Sequence, residues 1–159
     1  MKEKEKRKGR MYSTSIRQTP AVFFKKKLIM SFQRWVTRGG DLSNLRLSSD
    51  FDPSKAGSNK DTVSVAVTHV GLNLADVFAA LGLYSATPEG EFTPGLEFAG
   101  IVTSVNVGAK KGAKMRESKV KVGDKVMGVT RFGAYATAVT VPASHVRRVP
   151  EGWSCEQVL

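Results

Sequence analysis

Two spacings of apolar residues divide this chain. In its middle, Leu74, Val77, Phe78 and Leu81 stand at i, i+3, i+4 and i+7, which predicts one face of a helix over 74–81. Asn73 directly precedes that run, in the N-cap position. Asp76, three residues on, is a short capping-box partner whose charge suits a helix start. Gly82 is a suitable stop. On both sides of the helix the period drops to two. Val63, Val65 and Val67 alternate with Ser64, Ala66 and Thr68, the pattern of a half-buried strand. Leu45 and Leu47 alternate with Arg46 and Ser48, a shorter one.

The remaining elements follow from β-rich runs and turn residues. Phe32–Thr37 reads as the first strand, closed by a Gly39-Gly40-Asp41 turn, and Asp52–Asp61 is turn-rich. Pro94-Gly95 predicts a turn, with Pro fixing φ and Gly free to take a positive value. Phe98–Val107 restarts as strand. Gly123-Asp124 reads as a hairpin turn between Val120–Val122 and Lys125–Val129. Tyr135–Val141 and Val146–Val149 are further β-rich runs, ended by Pro142 and Pro150, and Ser154 with Glu156-Gln157 reads as a helix starting. Many short strands, glycine turns and few helices predict a mainly β fold, a partly open β-barrel.

Charge changes this picture at one end. The net charge is +11, yet residues 39–107 hold eight acidic residues against Arg46, Lys55 and Lys60. Residues 1–38 hold twelve basic residues against Glu3 and Glu5. The basic character therefore belongs to an N-terminal extension over residues 1–30, expected to be disordered, and to a loop over residues 109–121. From Met11 to Gly40 there is no acidic residue, a composition that resembles a transit peptide. A solvated tail, or an upstream start codon ahead of Met11 or Met30, accounts for it more simply. The expected location is cytoplasmic, with a mitochondrion or other organelle as the alternative. The basic runs come with no nucleic-acid-binding motif, so no nucleic-acid partner is expected. Nor does any apolar run reach the length of a membrane span. Gly108–Lys114 lacks the glycine spacing and the Lys-Ser/Thr pair of a phosphate loop, and reads as an exposed connection. Cys155 is the one cysteine, so an intrachain disulfide is excluded.

Five motifs in order, Gly71-Leu72-Asn73-Leu74-Ala75-Asp76, Gly82-Leu83-Tyr84, Pro94-Gly95-Leu96-Glu97-Phe98-Ala99-Gly100, Val122-Gly123-Asp124-Lys125-Val126 and Gly133-Ala134-Tyr135-Ala136, carry a resemblance. From about Ser31 onward the chain resembles the N-terminal, GroES-like (alcohol dehydrogenase-like) domain of the medium-chain dehydrogenase/reductase superfamily, in its zinc-independent quinone oxidoreductase branch. The resemblance implies NADPH-dependent hydride transfer to a quinone or an α,β-unsaturated carbonyl.

It implies no zinc. Where relatives carry a Cys and a His as zinc ligands this chain has Asn73 and Leu96, and an alkyl group cannot ligate. His69 and His145 read as a strand decoration and a surface turn. The resemblance places Asn73 and Tyr84 as catalytic residues, and Asn73, Asp76 and Phe78 beside the cofactor. Plain alternatives stand next to each: Asn73 and Asp76 as helix caps alone, Phe78 as core, Tyr84 as packing, and Glu97 as a structural acceptor. The glycine fingerprint of a dinucleotide-binding βαβ unit is absent from residues 1–159. The expectation is a domain cut short before its nucleotide-binding partner and inactive by itself. The alternative is a non-catalytic interaction or regulatory module that forms homo- or hetero-oligomers.

Overall fold

The computed structural model describes residues 32–53, 61–106 and 120–159. The basic extension, most of the basic loop and the expected strand end at Val107 lie outside the described residues.

The fold is mainly β. Its centre is a five-stranded antiparallel sheet in the order β6-β3-β4-β5-β7, formed by β3 (Thr62–Gly71), β4 (Glu97–Asn106), β5 (Lys125–Val129), β6 (Ala138–Pro142) and β7 (Val146–Arg148). A separate pair, β1 (Arg34–Val36) and β2 (Arg46–Ser48), packs at its side. Single bridges from Arg34 to Ala136 and from Thr37 to Phe92 tie that pair to the loops around the large sheet. The sheets do not close on each other, as a partly open barrel requires.

The period-two pattern of β3 works as expected. Val63 and Val65 are fully buried, and with Phe98, Val102, Val126, Val139, Val141 and Val146 they form the core. Phe98 is the largest of these, fully buried opposite Gly128 on β5. A Cβ at position 128 would stand 2.5 Å from the Phe98 ring, so the absent side chain makes room for the ring.

Two expected elements differ. Val120–Val122 is not a strand: β4 pairs directly with β5, and Val120 drops into the core. The Gly123-Asp124 turn is present, closed by the Asp124 N–H to the Lys121 carbonyl at 3.0 Å, but it enters β5 from an irregular segment. The helix expected at Ser154 is a single turn. The Gln157 N–H reaches the Ser154 carbonyl at 3.2 Å, and the Gln157 side chain accepts from the Ser154 N–H at 2.9 Å. Among the described residues no helix is long and apolar enough to cross a membrane.

The helix itself, α1 (Leu74–Ala80), is where expected and faces the other way. Its buried residues are Asp76, Ala79 and Ala80, while Leu74, Val77 and Phe78 are exposed. Phe78, read from the sequence as core, is 42 % exposed. At the helix end the Gly82 N–H bonds the Ala79 carbonyl at 3.0 Å and the Leu83 N–H bonds the Phe78 carbonyl at 2.8 Å, a Schellman closure with Gly82 at φ +72°. That closure presses against the Gly39-Gly40 turn, where backbone lies within 3.2 Å of a Cβ built on Gly82. The buried side of α1 is that of Asp76, Ala79 and Ala80, and the large side chains turn outward.

Candidate functional site

The site is built around a buried carboxylate at the entry to α1. Asp76 is 6 % exposed and spends both oxygens. Its Oδ2 accepts the Asn73 N–H at 2.9 Å and the Tyr135 hydroxyl at 2.8 Å. Its Oδ1 accepts the Gly95 N–H at 3.2 Å. The Asp76 N–H in turn bonds the Asn73 carbonyl at 3.0 Å. Three donors satisfy a group that would be costly to bury alone. They come from three parts of the chain: the helix entry, the Pro94-Gly95 turn and the loop 130–136. Asp76 is therefore a cap, as the sequence predicts, and also the joint between these segments.

Loop 130–136 was not legible as part of the site. It lies along the Pro94–Leu96 segment through the Thr130 N–H to the Leu96 carbonyl (2.8 Å), the Ala134 N–H to the Gly95 carbonyl (3.1 Å) and the Tyr135 N–H to the Pro94 carbonyl (3.0 Å). This registry aims Tyr135 at Asp76, with the Gly71 carbonyl 3.4 Å from the same hydroxyl. Burial, the hydrogen bond to Asp76, and the charges of Asp76 and Glu97 push the Tyr135 pKa well above its ordinary value, so the group is a neutral donor. Glu97 pairs with Gly71 across β3 and β4, and its carboxylate covers the space a Cβ on Gly71 would take, 2.6 Å away. Asn73, Asp76, Glu97 and Tyr135 thus gather at one end of α1.

The other end holds an aromatic series. Tyr84 meets Phe132 edge to face, with centroids 6.5 Å apart, and Phe132 meets the buried Phe92 in the same way at 5.4 Å. Tyr84 is 38 % exposed, so its ring is the surface end of this series. Seven residues of helix, about 10 Å of axis, separate the Asn73 end from the Tyr84 end. Loop 130–136 reaches both, with Tyr135 at one and Phe132 at the other. Phe78 lies on the outer face of α1 between them. The tyrosine and phenylalanine of this loop were missed because nothing local sets them apart; the only signal was the Gly133-Ala134-Tyr135-Ala136 motif.

The Asn73 Nδ2 is buried and has no hydrogen-bond partner among the described residues. A carboxamide N–H left unspent costs about 1–3 kcal/mol, and it is a donor that a carbonyl oxygen could take. His69, on β3, bonds Thr68 at 2.9 Å and Glu156 at 3.3 Å; His145 lies in the 3-10 turn Ala143–His145. Among the described residues no group of three or more His, Cys, Asp or Glu side chains could hold a metal ion. An open cleft of about 350 Å³ lined by Thr37, Arg38, Ser43, Asn44, Arg46 and Glu91 contains none of the expected site residues.

Residues 59–151 match the alcohol dehydrogenase GroES-like domain family. The chain is 38% identical over 95 residues to the synaptic vesicle membrane protein VAT-1 homolog of Danio rerio, covering 60% of this chain and 18% of that protein. It is 36% identical over 94 residues to quinone oxidoreductase-like protein 2 of Mus musculus, covering 59% of this chain and 25% of that one. The structure of Escherichia coli quinone oxidoreductase complexed with NADPH superposes with a TM-score of 0.62 at 27% identity, over 79% of this chain and 35% of that chain. The chain thus spans a quarter or less of these two curated relatives and about a third of that solved structure. With five motifs, an open β-barrel and these relatives in agreement, the chain belongs to the alcohol dehydrogenase GroES-like domain family of the medium-chain dehydrogenases/reductases, with quinone oxidoreductases among its relatives.

Proposed function

We propose that residues 31–159 form the GroES-like domain of an NADPH-dependent reductase of quinones or α,β-unsaturated carbonyls, and that Asn73 and Tyr84 line its reaction cleft. The observation that carries this is the Asn73 carboxamide: its backbone is held by Asp76, and its Nδ2 donor is unclaimed among the described residues. NADPH, when bound, would supply a hydride, and with one proton from solvent the two-electron reduction of a quinone carbonyl is balanced. Asn73 would donate to the oxygen on which charge develops. Tyr84, held edge to face by Phe132, would form an apolar wall against the flat acceptor, and Asp76 would hold the helix entry still. Phe78 would contribute an apolar edge beside the cofactor. Such a reductase works without a Lewis acid because a quinone is already electron-poor.

The test joins this chain to a nucleotide-binding domain of the family and measures quinone reduction. Asn73→Ser keeps a capping oxygen and removes the amide donor. It should lower kcat/KM by about a hundredfold, the scale of one lost oxyanion donor. An unchanged kcat/KM would sink the reading. The chain without that domain should bind NADPH weakly and turn over little; micromolar binding with turnover would contradict this.

A second reading is favoured by one observation. Leu72 and Leu74 are 85 % and 68 % exposed beside Val77 and Phe78, an apolar face open to a partner. In that reading the chain is a non-catalytic interaction or regulatory module that associates with itself or with a paralogue. Gel filtration of the chain, alone and with a full-length paralogue, separates the two; a monomer indifferent to the paralogue opposes the second.

A further inference from the structure

We infer that Tyr135 is a positioning residue for Asn73, acting through the single Asp76 oxygen that both of them share. This inference rests on the reading of Asn73 given above and extends it to a residue outside the helix. The Tyr135 hydroxyl and the Asn73 N–H both end on Asp76 Oδ2, at 2.8 and 2.9 Å. The other Asp76 oxygen is held by Gly95, so the carboxylate has no free rotation with which to follow Asn73 if Tyr135 is lost. The tyrosine is itself fixed from behind. Its own N–H bonds the Pro94 carbonyl at 3.0 Å, its carbonyl accepts the Trp35 N–H at 2.8 Å, and a Cβ on Gly95 would touch its ring. A rigid ring, one hydroxyl and one carboxylate thus set where the residue with the unspent Nδ2 stands. Removing the hydroxyl takes away one of three donors from a buried acceptor, and the Asn73 N–H is the other donor on the oxygen so changed. The raised pKa of Tyr135 agrees with a hydroxyl that stays a donor at neutral pH.

The experiment uses the whole 159-residue chain, labelled with nitrogen-15, and reads the Asn73 side-chain amide pair by NMR with and without nicotinamide. In the wild type, nicotinamide should move that pair. In Tyr135→Phe the chain should stay folded and the core amides of Val63 and Val126 should be unmoved. The Asn73 pair should be displaced before any addition, and its apparent Kd for nicotinamide should rise about tenfold, equivalent to about 1.4 kcal/mol. A purely structural tyrosine would lower the melting temperature and leave the Asn73 pair and its response in place; that result would overturn the inference. Should Tyr135→Phe not fold, Asp76→Asn, which keeps the size and removes the charge on the shared oxygen, must reproduce the displacement, and an unmoved Asn73 pair there is equally decisive against it. A wild type that ignores nicotinamide would instead defeat the functional reading of Asn73. The positioning claim is then judged on the displacement in ligand-free protein.

Discussion

Gly95 packs directly against Tyr135: a Cβ at position 95 would lie 2.5 Å from the Tyr135 ring and 2.7 Å from its backbone nitrogen. Gly95 also holds φ at +100°. The sequence marks this residue as half of a Pro-Gly turn. The structure adds that it is the floor on which the tyrosine of the Asp76 joint rests.

Gly95→Ala therefore combines backbone strain with overpacking. Each term is worth about 1–3 kcal/mol, so a loss of about 3 kcal/mol or more is expected in urea unfolding. Gly90 also has a positive φ, +79°, but open space where a Cβ would go. Gly90→Ala should lose only the strain term, about 1 kcal/mol. Equal losses at the two positions would show that the contact with Tyr135 contributes nothing.

Phe98 fills the centre of the five-stranded sheet with no solvent exposure. Phe98→Ala should destabilise the chain by about 3–5 kcal/mol, measured by the shift in denaturant midpoint at unchanged slope. A loss below about 1 kcal/mol would mean that the core is not organised around this ring.

The outward face of α1 makes the opposite prediction. Leu74→Gln and Phe78→Gln keep good helix formers at exposed positions, and each should change stability by no more than about 0.5 kcal/mol. Loss of about 2 kcal/mol in either, the worth of a buried apolar side chain, would show that this face is covered.

Alkaline pH should act through Tyr135. An unfolded tyrosine ionises near pH 10, and the folded one at higher pH because burial and Asp76 favour the neutral hydroxyl. The unfolded chain loses its proton first, so this contribution is complete below about pH 10 and is withdrawn as pH rises above it. Stability followed from pH 9 to 11 should fall in the wild type and fall less in Tyr135→Phe. Identical slopes would refute the link.

Much was decided by the sequence alone. The alternation of Val63, Val65 and Val67 named a buried face because side chains on a strand change sides at every residue, whatever lies beyond it. Asn73, Asp76 and Gly82 marked both ends of α1 because capping is local chemistry. The five motifs carried the family. What tertiary structure decided is which way the helix faces and what meets at its entry. The apolar stripe of Leu74, Val77 and Phe78 suggested an inward face. The buried side is instead that of Asp76, Ala79 and Ala80, and the helix end closes against the Gly39-Gly40 turn. Asp76 and Tyr135 are 59 residues apart, joined by strand registry that no local pattern encodes. The carboxylate could be read as a cap; its second and third donors exist only once the sheet has brought Gly95 and loop 130–136 alongside.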